Sequence, residues 1–358
     1  MQFHRISVTS ACLLLVALDI CLGTQCEDLG GRWYNQLGSV LVLHHSQDGE
    51  LTGTYETQVE QKHGSAGNAH SHIVVGAAPY NKPASVFGFA VMFNSGGSTC
   101  AWTGQCHICN GEETLMTSWL LRSRVTTCID KWKSTLIGQD TFTRGRPDNS
   151  PTYNVRIVPQ MKRDTSQVLK NAHRITKRDA SGGPPIDGCN IHGYWYNYLG
   201  SQVILHRNED NSVRGKYHTV VEKAEGASGS RGHSAVYGIT NWDQVNSTLA
   251  MFVVWNEGES ITGWVGQCHM CNKTEVLETT WLLRSKVKTC NENWMSTHHG
   301  ENSFLRDEHT KGPGRQFVVE IAGRVGEVLV NGARITVSLH SVLVVTTTVM
   351  TVFCHSLW

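Results

Sequence analysis

The sequence predicts an all-β protein made of two eight-stranded antiparallel up-and-down β-barrels joined by a linker. The segment from Trp33 to Arg144 recurs from Trp195 to Arg306 with no net insertion. Within each copy, short runs rich in Val, Thr, Tyr, Phe and Trp alternate with Gly, Asn and Ser turns, which is typical of short strands. Eight such strands joined by hairpins suit a closed barrel that can hold one small ligand. A β-sandwich is the alternative that the pattern leaves open.

The strands are predicted from these runs and from the turns between them. Asp48-Gly49 and Asn110-Gly111 are strong hairpin turns. The loop at 63–68 is rich in small and polar residues and is either a slack surface loop or a lid at the barrel mouth, as is its counterpart at 225–230. The predicted strands of the first copy lie near 31–36, 39–45, 51–58, 71–77, 85–93, 99–108, 113–122 and 135–144.

The repeat also sets the domain organisation, because a period this long marks two whole domains rather than a solenoid of small units. The stretch at 104–109 recurs at 266–271 as Gly-Gln-Cys-His-X-Cys. The predicted segments are a signal peptide at 1–23, a first barrel at 24–144, a linker at 145–188, a second barrel at 189–306 and a C-terminal tail at 307–358.

Both ends of the chain carry apolar segments. Arg5 precedes the mostly apolar run Ala11–Ile20, and small residues lead up to Gly23, as in a secretory signal peptide rather than a buried helix. Ile335–Trp358 contains no Lys, Arg, Asp or Glu. It is interpreted as a lipid-anchor signal that begins with the small residues at 331–333, with a membrane span or a plain tail as alternatives. We therefore expect a secreted protein, with attachment to the cell surface as an open alternative.

The linker is rich in Pro and Gly, which favours an extended connection. The basic stretch ending at Lys177-Arg178 resembles a proprotein-convertase site, and a merely basic linker is the alternative. Asn246 and Asn272 begin N-glycosylation sequons.

Charge and motif content argue against two classes of protein. The formal net charge is +1, which gives no reason to expect nucleic acid as a partner. The repeated motifs contain no nucleophile and base whose spacing supports catalysis, so we expect neither an enzyme nor a cofactor.

The cysteine pattern predicts disulfides rather than a metal site, since secretion makes disulfides the default. The stretch at 106–109 with Cys128 resembles a zinc ligand set, but adjacent residues of a strand face opposite sides and do not easily converge on one ion. Pairing within each repeat leaves Cys100 free. The predicted disulfides are Cys26–Cys106, Cys109–Cys128, Cys189–Cys268 and Cys271–Cys290.

Five motifs of the first copy resemble those of the avidin/streptavidin family, and their order and spacing also match. They are Trp33-Tyr34-Asn35-Gln36-Leu37-Gly38-Ser39, Thr52-Gly53-Thr54-Tyr55, Phe87-Gly88-Phe89, Trp102-Thr103-Gly104-Gln105-Cys106 and Trp119-Leu120-Leu121-Arg122-Ser123. The resemblance covers both copies. It implies eight-stranded barrels, a homotetramer of barrels, and one biotin site inside each barrel, with biotin as a bound ligand.

Under this resemblance, the ureido group of biotin would contact Asn35, Ser39, Tyr55, Thr57 and Asp140. A urea has one carbonyl and two N–H groups, which Asn, Ser and Tyr donors and Thr and Asp acceptors match. The other predicted contacts of the first barrel are Leu37, Val59, Phe93, Ser98, Cys100, Trp102, Trp119, Leu121 and Trp132. The predicted set of the second barrel is Asn197, Leu199, Ser201, Tyr217, Thr219, Val221, Trp255, Ser260, Thr262, Trp264, Trp281, Leu283, Trp294 and Asn302.

The two copies differ at positions that the family resemblance makes important. Phe93 replaces a wall Trp, and Cys100 replaces the Thr that meets the ligand sulfur, so the second barrel is expected to bind more tightly. Trp132 and Trp294 resemble the Trp that a neighbouring barrel lends to the pocket, which predicts a dimer of two-barrel chains. An extracellular structural or oligomerisation module with weak or no biotin binding is the alternative function.

Overall fold

The computed structural model of the chain contains two closed antiparallel β-barrels, which confirms the predicted up-and-down barrels and excludes the sandwich. The structure describes residues 26, 28–60, 64–67, 71–128, 130, 134–147, 188–222, 226–229, 234–244, 246–307, 326–330 and 333–337. The predicted signal peptide, the convertase site and most of the apolar C-terminal segment lie outside these residues. Within them, no helix has the length and apolar character needed to cross a membrane.

The first barrel pairs its eight strands in chain order. β1 closes the barrel by pairing with β8 through Tyr34 opposite Thr143 and Asn35 opposite Phe142. The strands are β1 (Gly31–Asn35), β2 (Val40–His45), β3 (Glu50–Glu56), β4 (His72–Ala77), β5 (Val86–Phe93), β6 (Ser98–Cys109), β7 (Glu112–Ser123) and β8 (Thr135–Thr143).

The second barrel repeats this order and closes by the pairing of β9 with β16, where Asn197 lies opposite Phe304. Its strands are β9 (Gly193–Asn197), β10 (Gln202–Arg207), β11 (Ser212–His218), β12 (Ser234–Thr240), β13 (Thr248–Trp255), β14 (Ser260–Cys271), β15 (Thr274–Ser285) and β16 (Thr297–Leu305). A separate antiparallel pair, β17 (Gly326–Val330) and β18 (Ala333–Val337), follows in the tail.

One end of each barrel interior is filled by a Trp and an Arg. Trp33 is fully buried, and its Nε1 donates to the carbonyl of Leu29 at 2.9 Å. The guanidinium of Arg144 lies 3.6 Å from the Trp33 ring centroid. Arg306 stacks on Trp195 at 3.7 Å in the same way. These stacks fill the barrel end where the chain enters its first strand, which leaves the other end for a ligand.

A third apolar core lies between the barrels. Strands β4–β7 of the first barrel pack against β12–β15 of the second. A Cβ added to Gly88 would lie 2.6 Å from Phe252 Cδ1, so the absence of a side chain there allows the close approach of the two sheets. The buried residues of this core are Val75, Val86, Ala90, Ala101, Leu120, Ile239, Ala250, Phe252, Ile261, Val265 and Leu282.

The two barrels contact each other through equivalent surfaces. The Gln105 side chain hydrogen-bonds the backbone N–H and carbonyl of Val287, each at 2.9 Å. Gln267 makes the equivalent pair of bonds to Val125 at 3.0 and 2.8 Å. Reciprocal contacts of this kind define an isologous interface, here formed within one chain.

Two of the four predicted disulfides are wrong. Cys26–Cys106 and Cys189–Cys268 form within their barrels as expected, whereas Cys109 pairs with Cys290 and Cys128 pairs with Cys271. The end of β6 packs against the loop after β15 of the other barrel, so the crossed pairs are the ones that meet. Cys100 is free, as expected from the count of cysteines.

Candidate ligand-binding site

Asn35 is held at the end of β1 by the turn that leads to β2. Its Oδ1 accepts hydrogen bonds from the backbone N–H groups of Leu37 at 3.1 Å and Ser39 at 2.8 Å. Because this network uses the oxygen, the amide NH2 group remains to donate to a ligand. Asn197 makes the same two bonds in the second barrel.

A buried tyrosine lies beside this turn in each barrel. The Tyr55 hydroxyl interacts with Ser39, and the Tyr217 hydroxyl interacts with Ser201. Burial raises the pKa of both tyrosines well above the usual value, so the phenols are neutral at physiological pH. Each hydroxyl therefore keeps a proton that it can donate to a ligand oxygen.

The threonine two residues further on has the opposite role available. Thr57 Oγ1 donates to the carbonyl of Val59 at 2.7 Å and accepts from the Val59 N–H at 3.2 Å. Thr219 and Val221 repeat this pair of bonds at 2.8 and 3.2 Å. With its own proton used, each hydroxyl can only accept a hydrogen bond from a ligand.

Asp140 supplies a carboxylate to the first barrel. It is buried at 7% exposure, and its Oδ2 accepts from Trp102 Nε1 at 2.9 Å. Its Oδ1 accepts from Gln36 Nε2 at 3.2 Å, and Gln36 Oε1 accepts from the Thr141 N–H at 2.9 Å. The sequence analysis did not assign Gln36 to the site, although it lies inside the motif from Trp33 to Ser39.

The second barrel lacks this carboxylate network. Asn302 stands at the position of Asp140, and Tyr198 stands at the position of Gln36. The buried Nε1 of Trp264 has no hydrogen-bond partner among the described residues. An N–H donor is thus left for a ligand or water in the second barrel but not in the first.

Aromatic rings surround the polar groups. In the first barrel, the rings of Tyr55 and Trp102 lie 5.2 Å apart, and those of Tyr55 and Phe93 lie 6.4 Å apart. Trp119 lies flat against β8, since a Cβ on Gly138 would be only 2.3 Å from its Cζ2. This glycine is needed to give the indole room along the wall.

The second barrel has the same wall with one larger ring. Tyr217 stacks on Trp264 at 5.1 Å and meets Trp255 edge-on at 5.7 Å. A Cβ on Gly300 would lie 2.4 Å from Trp281 Cζ2, as at the equivalent position of the first barrel. The walls therefore differ mainly in Trp255, where the first barrel has Phe93.

The residue predicted to meet the ligand sulfur differs in kind between the barrels. Cys100 is a buried free thiol, and burial together with the nearby Asp140 charge raises its pKa well above the usual value. Thr262 Oγ1 accepts a hydrogen bond from Trp255 Nε1 at 2.8 Å. The hydroxyl proton of Thr262 is therefore free to donate, and a thiol is the weaker donor.

The barrels match a known family over most of the chain. The Avidin family model matches residues 23–145 and 186–307. The chain belongs to the avidin family. It is 40% identical over 133 residues to fibropellin-1 of Strongylocentrotus purpuratus, covering 37% of this chain and 12% of that protein. It is 38% identical over 147 residues to avidin-related protein 4/5 of Gallus gallus, covering 39% of this chain and 95% of the relative. The structure titled "Crystal structure of Xenavidin" is 39% identical, covers 34% of this chain and 98% of that chain, and has a TM-score of 0.30.

One buried histidine near the aromatic residues of the first barrel was missed by the sequence analysis. His72, at the start of β4, is 6% exposed, and its ring lies 4.7 Å from that of Phe93. Its Nε2 has no hydrogen-bond partner among the described residues, and burial lowers its pKa. The equivalent residue is Ser234. A lone histidine in a strand gave no signal that could have identified it.

The loop after the third strand of each barrel is held by an acidic side chain. The Glu60 carboxylate accepts from the N–H groups of Gly64 at 2.8 Å and Ala66 at 2.9 Å, and Ala66 accepts from the Asn94 N–H at 3.2 Å. Glu222 accepts from Gly226 in the same way. The described part of the loop after β3 is thus held in place by its own acidic residue, which favours a structured rim over a slack loop.

The other predicted contacts have varied positions. Leu37 and Val59 are half exposed, at 49% and 50%. Trp132 lies outside the described residues, and of Trp294 only the backbone is described, in the 3-10 segment Cys290–Met295. The remaining predicted contacts, all half-buried, are Ser98, Leu121, Leu199, Ser260 and Leu283.

The two sequons lie in turns. Asn272 is exposed between β14 and β15, whereas Asn246 is half-buried, and its carbonyl accepts from Gln267 at 3.0 Å. Glycosylation at either position stays a prediction.

Proposed function

We propose that the chain is a biotin-binding protein that holds one biotin non-covalently in each barrel, without catalysis and without a cofactor. The observation that carries the proposal is a set of buried and half-buried donors and acceptors at equivalent positions of the two barrels. In the first barrel this set is Asn35, Ser39, Tyr55, Thr57 and Asp140.

The set matches a cyclic urea group by group. The amide of Asn35 and the hydroxyls of Ser39 and Tyr55 donate to the ureido carbonyl. Thr57 and Asp140 accept from the two ureido N–H groups. Because the bonds within the protein already fix these side chains, little conformational entropy is lost on binding. The aromatic rings exclude water, which strengthens each hydrogen bond.

The disulfides indicate the compartment in which the protein acts. The four disulfides fit an oxidising, extracellular compartment. We extend this to a secreted protein that is retained at the cell surface if the tail anchors it. The proposed assembly is a dimer of two-barrel chains, in which Trp132 and Trp294 each cover a barrel of the other chain.

Titration of the full disulfide-bonded chain with biotin tests the proposal. Calorimetry should give two biotins per chain, and Trp fluorescence should be quenched because several Trp line each site. The double variant Asn35→Ala/Asn197→Ala should lose most of the affinity in both barrels. The variant Thr52→Ala, at an exposed position of β3, is the control and should bind like the wild type.

A structural module is the second candidate, favoured by the extensive core and the two disulfides between the barrels. If a protein with cooperative thermal unfolding gave no heat of binding and no fluorescence quenching with biotin, biotin binding would be rejected. That result would support the structural module.

A further inference from the structure

Two arginines are buried between the barrels at equivalent positions. Arg284 on β15 is 0% exposed and Arg122 on β7 is 2% exposed. Neither forms an ion pair with a carboxylate among the described residues. Removing a guanidinium from water without a counter-charge is costly, so such a site calls for a partner.

Most of the Arg284 guanidinium lacks a hydrogen-bond partner. Its Nη2 donates to Asn293 Oδ1 at 2.7 Å, which fixes the direction of the group. Its Nε and Nη1 are buried, and within the described part of the chain neither has a partner. A guanidinium has only donors, so these two atoms can be satisfied only by an acceptor.

His107 lies on the facing strand of the other barrel. On β6, Gln105, His107 and Cys109 share one face, since side chains alternate along a strand. Gln105 bonds the backbone of Val287, and Cys109 is bonded to Cys290, so the side chain between them faces the segment that follows Arg284.

His107 can also act as a donor toward the same space. It is 7% exposed, and its Nε2 has no hydrogen-bond partner in the described ranges. Burial and the charge of Arg284 lower the pKa of His107, so the ring is neutral at pH 7 and can carry its hydrogen on Nε2.

The carboxylate of Glu292 lies close enough to influence His107, but it already accepts hydrogen bonds from the backbone. Glu292 acts on His107 as a negative charge, but its Oε2 accepts from the N–H groups of Lys288 at 2.8 Å and Thr289 at 3.1 Å. It caps the segment Cys290–Met295 and makes no ion pair with Arg284 among the described contacts. The only acceptor in the buried pair is then the unprotonated imidazole nitrogen, which brings no negative charge to the Arg284 guanidinium.

We propose that Arg284 and His107, with Asn293 orienting the guanidinium, form a buried site for a small monovalent inorganic anion such as chloride between the two barrels. The anion accepts from the guanidinium and from the imidazole of the opposite barrel, and so links them without a covalent bond. This site is separate from the barrel pockets and does not depend on biotin.

The pseudo-equivalent pair provides an internal comparison. His269 is 4% exposed, lies between Gln267 and Cys271, and faces Arg122; burial and then the Arg122 charge lower its pKa. Here Glu278 and Glu301 both place negative charge near Arg122. These carboxylates disfavour an anion, so the site at Arg122 should be weaker than the site at Arg284.

Bromide provides a direct test on the intact disulfide-bonded protein. Crystals grown with bromide in place of chloride should show an anomalous peak within hydrogen-bonding distance of Arg284 and His107, with a weaker peak or none at Arg122 and His269. Water density without an anomalous peak at Arg284 would overturn the proposal.

Thermal unfolding gives a second readout. At constant ionic strength, replacing gluconate with chloride should raise the Tm of the wild type by about 3 °C, because the anion binds only the folded state. His107→Phe should abolish this response because it keeps an aromatic ring but removes both ring nitrogens, and His269→Phe, the matched control of the same size change, should keep the response. Equal chloride responses in the wild type and in His107→Phe would contradict the proposal.

Discussion

Among single residues, the two candidate sites differ in how their acceptors are used. Both oxygens of Asp140 already accept hydrogen bonds from Trp102 and Gln36. Because these bonds already use both carboxylate oxygens, Asp140 offers less to a ligand than a free carboxylate would. Its advantage over Asn302 as a hydrogen-bond acceptor is therefore reduced. In the second barrel, Trp264 Nε1 has no partner in the described part of the chain, and Thr262 can donate to a ligand sulfur.

These differences predict that the second barrel binds biotin about tenfold more tightly, which corresponds to one neutral hydrogen bond of about 1 kcal/mol with a small gain from the larger Trp255. Dissociation of radiolabelled biotin from the full chain should be biphasic. Cys100→Thr should slow the faster phase, which belongs to the first barrel. Cys100→Ser supplies the hydroxyl without the Thr methyl group, and so tests whether the side-chain volume also affects the rate. A single dissociation rate in the wild type would contradict unequal barrels.

At the residue level, the sequence identifies buried positions that belong to a recurring motif and does not identify an isolated residue. The family resemblance predicts Asn35 and Tyr55 as contacts, the repeat supports them through Asn197 and Tyr217, and all four are buried. His72 has no counterpart of its type in the second copy, so repetition could not reveal it. Whether the predicted contacts bind biotin is for the titration to decide.

At the scale of elements, β8 has a glycine where the Trp wall needs space. Gly138→Val should push the Trp119 indole from its place, because even a Cβ would lie 2.3 Å from Cζ2. We expect the first barrel to lose at least tenfold in biotin affinity, while the second barrel keeps its own. Gly300→Val is the matched variant for the second barrel. Affinity changes in both barrels from either single variant would show a general loss of folding instead.

The interface strands predict a pH dependence of stability. Burial lowers the pKa of His107 and His269. His107 faces Arg284 and Glu292, and His269 faces Arg122 and Glu278. Because the unfolded chain takes up these protons below about pH 6.5 and the folded chain resists them, the free energy of unfolding should fall as the pH drops through that value.

The slope should be at most about 1.4 kcal/mol per pH unit for each histidine. Urea unfolding between neutral and mildly acidic pH measures it. The double variant His107→Phe/His269→Phe should show a shallower slope, and His44→Phe, which changes an exposed histidine, should leave the slope as it is. An unchanged slope in the double variant would assign the acid sensitivity to other groups.

Elements were easier to predict than the contacts between them. The strands follow from runs and turns within one copy, and the sequence places them close to where the structure has them. The crossed disulfides depend on how β6 packs against the other barrel, and nothing within a single copy distinguishes Cys128 from Cys290 as the partner of Cys109. Pairing within each repeat was therefore the shorter choice and the wrong one.

At the scale of the whole molecule, the crossed disulfides predict what cutting the linker does. Cys109–Cys290 and Cys128–Cys271 join the two halves independently of residues 148–187. After cleavage at Lys177-Arg178 by a purified convertase, the protein should run as one species without reductant and as two with it. In native gel filtration it should stay in one piece even after mild reduction, because the apolar core between the barrels remains.

The variant that lacks all four of these cysteines is the control, since its halves should separate in denaturant without any reductant. If the cleaved wild type also separated without reductant, the pairs would be Cys109–Cys128 and Cys271–Cys290 after all. Each half would then be closed on itself, and only non-covalent packing would hold the barrels together. In the crossed arrangement, each bridge closes a loop of more than a hundred residues, for which the chain-entropy model gives about 5 kcal/mol. Reduction should therefore lower the Tm of the uncut chain more than cutting the linker does.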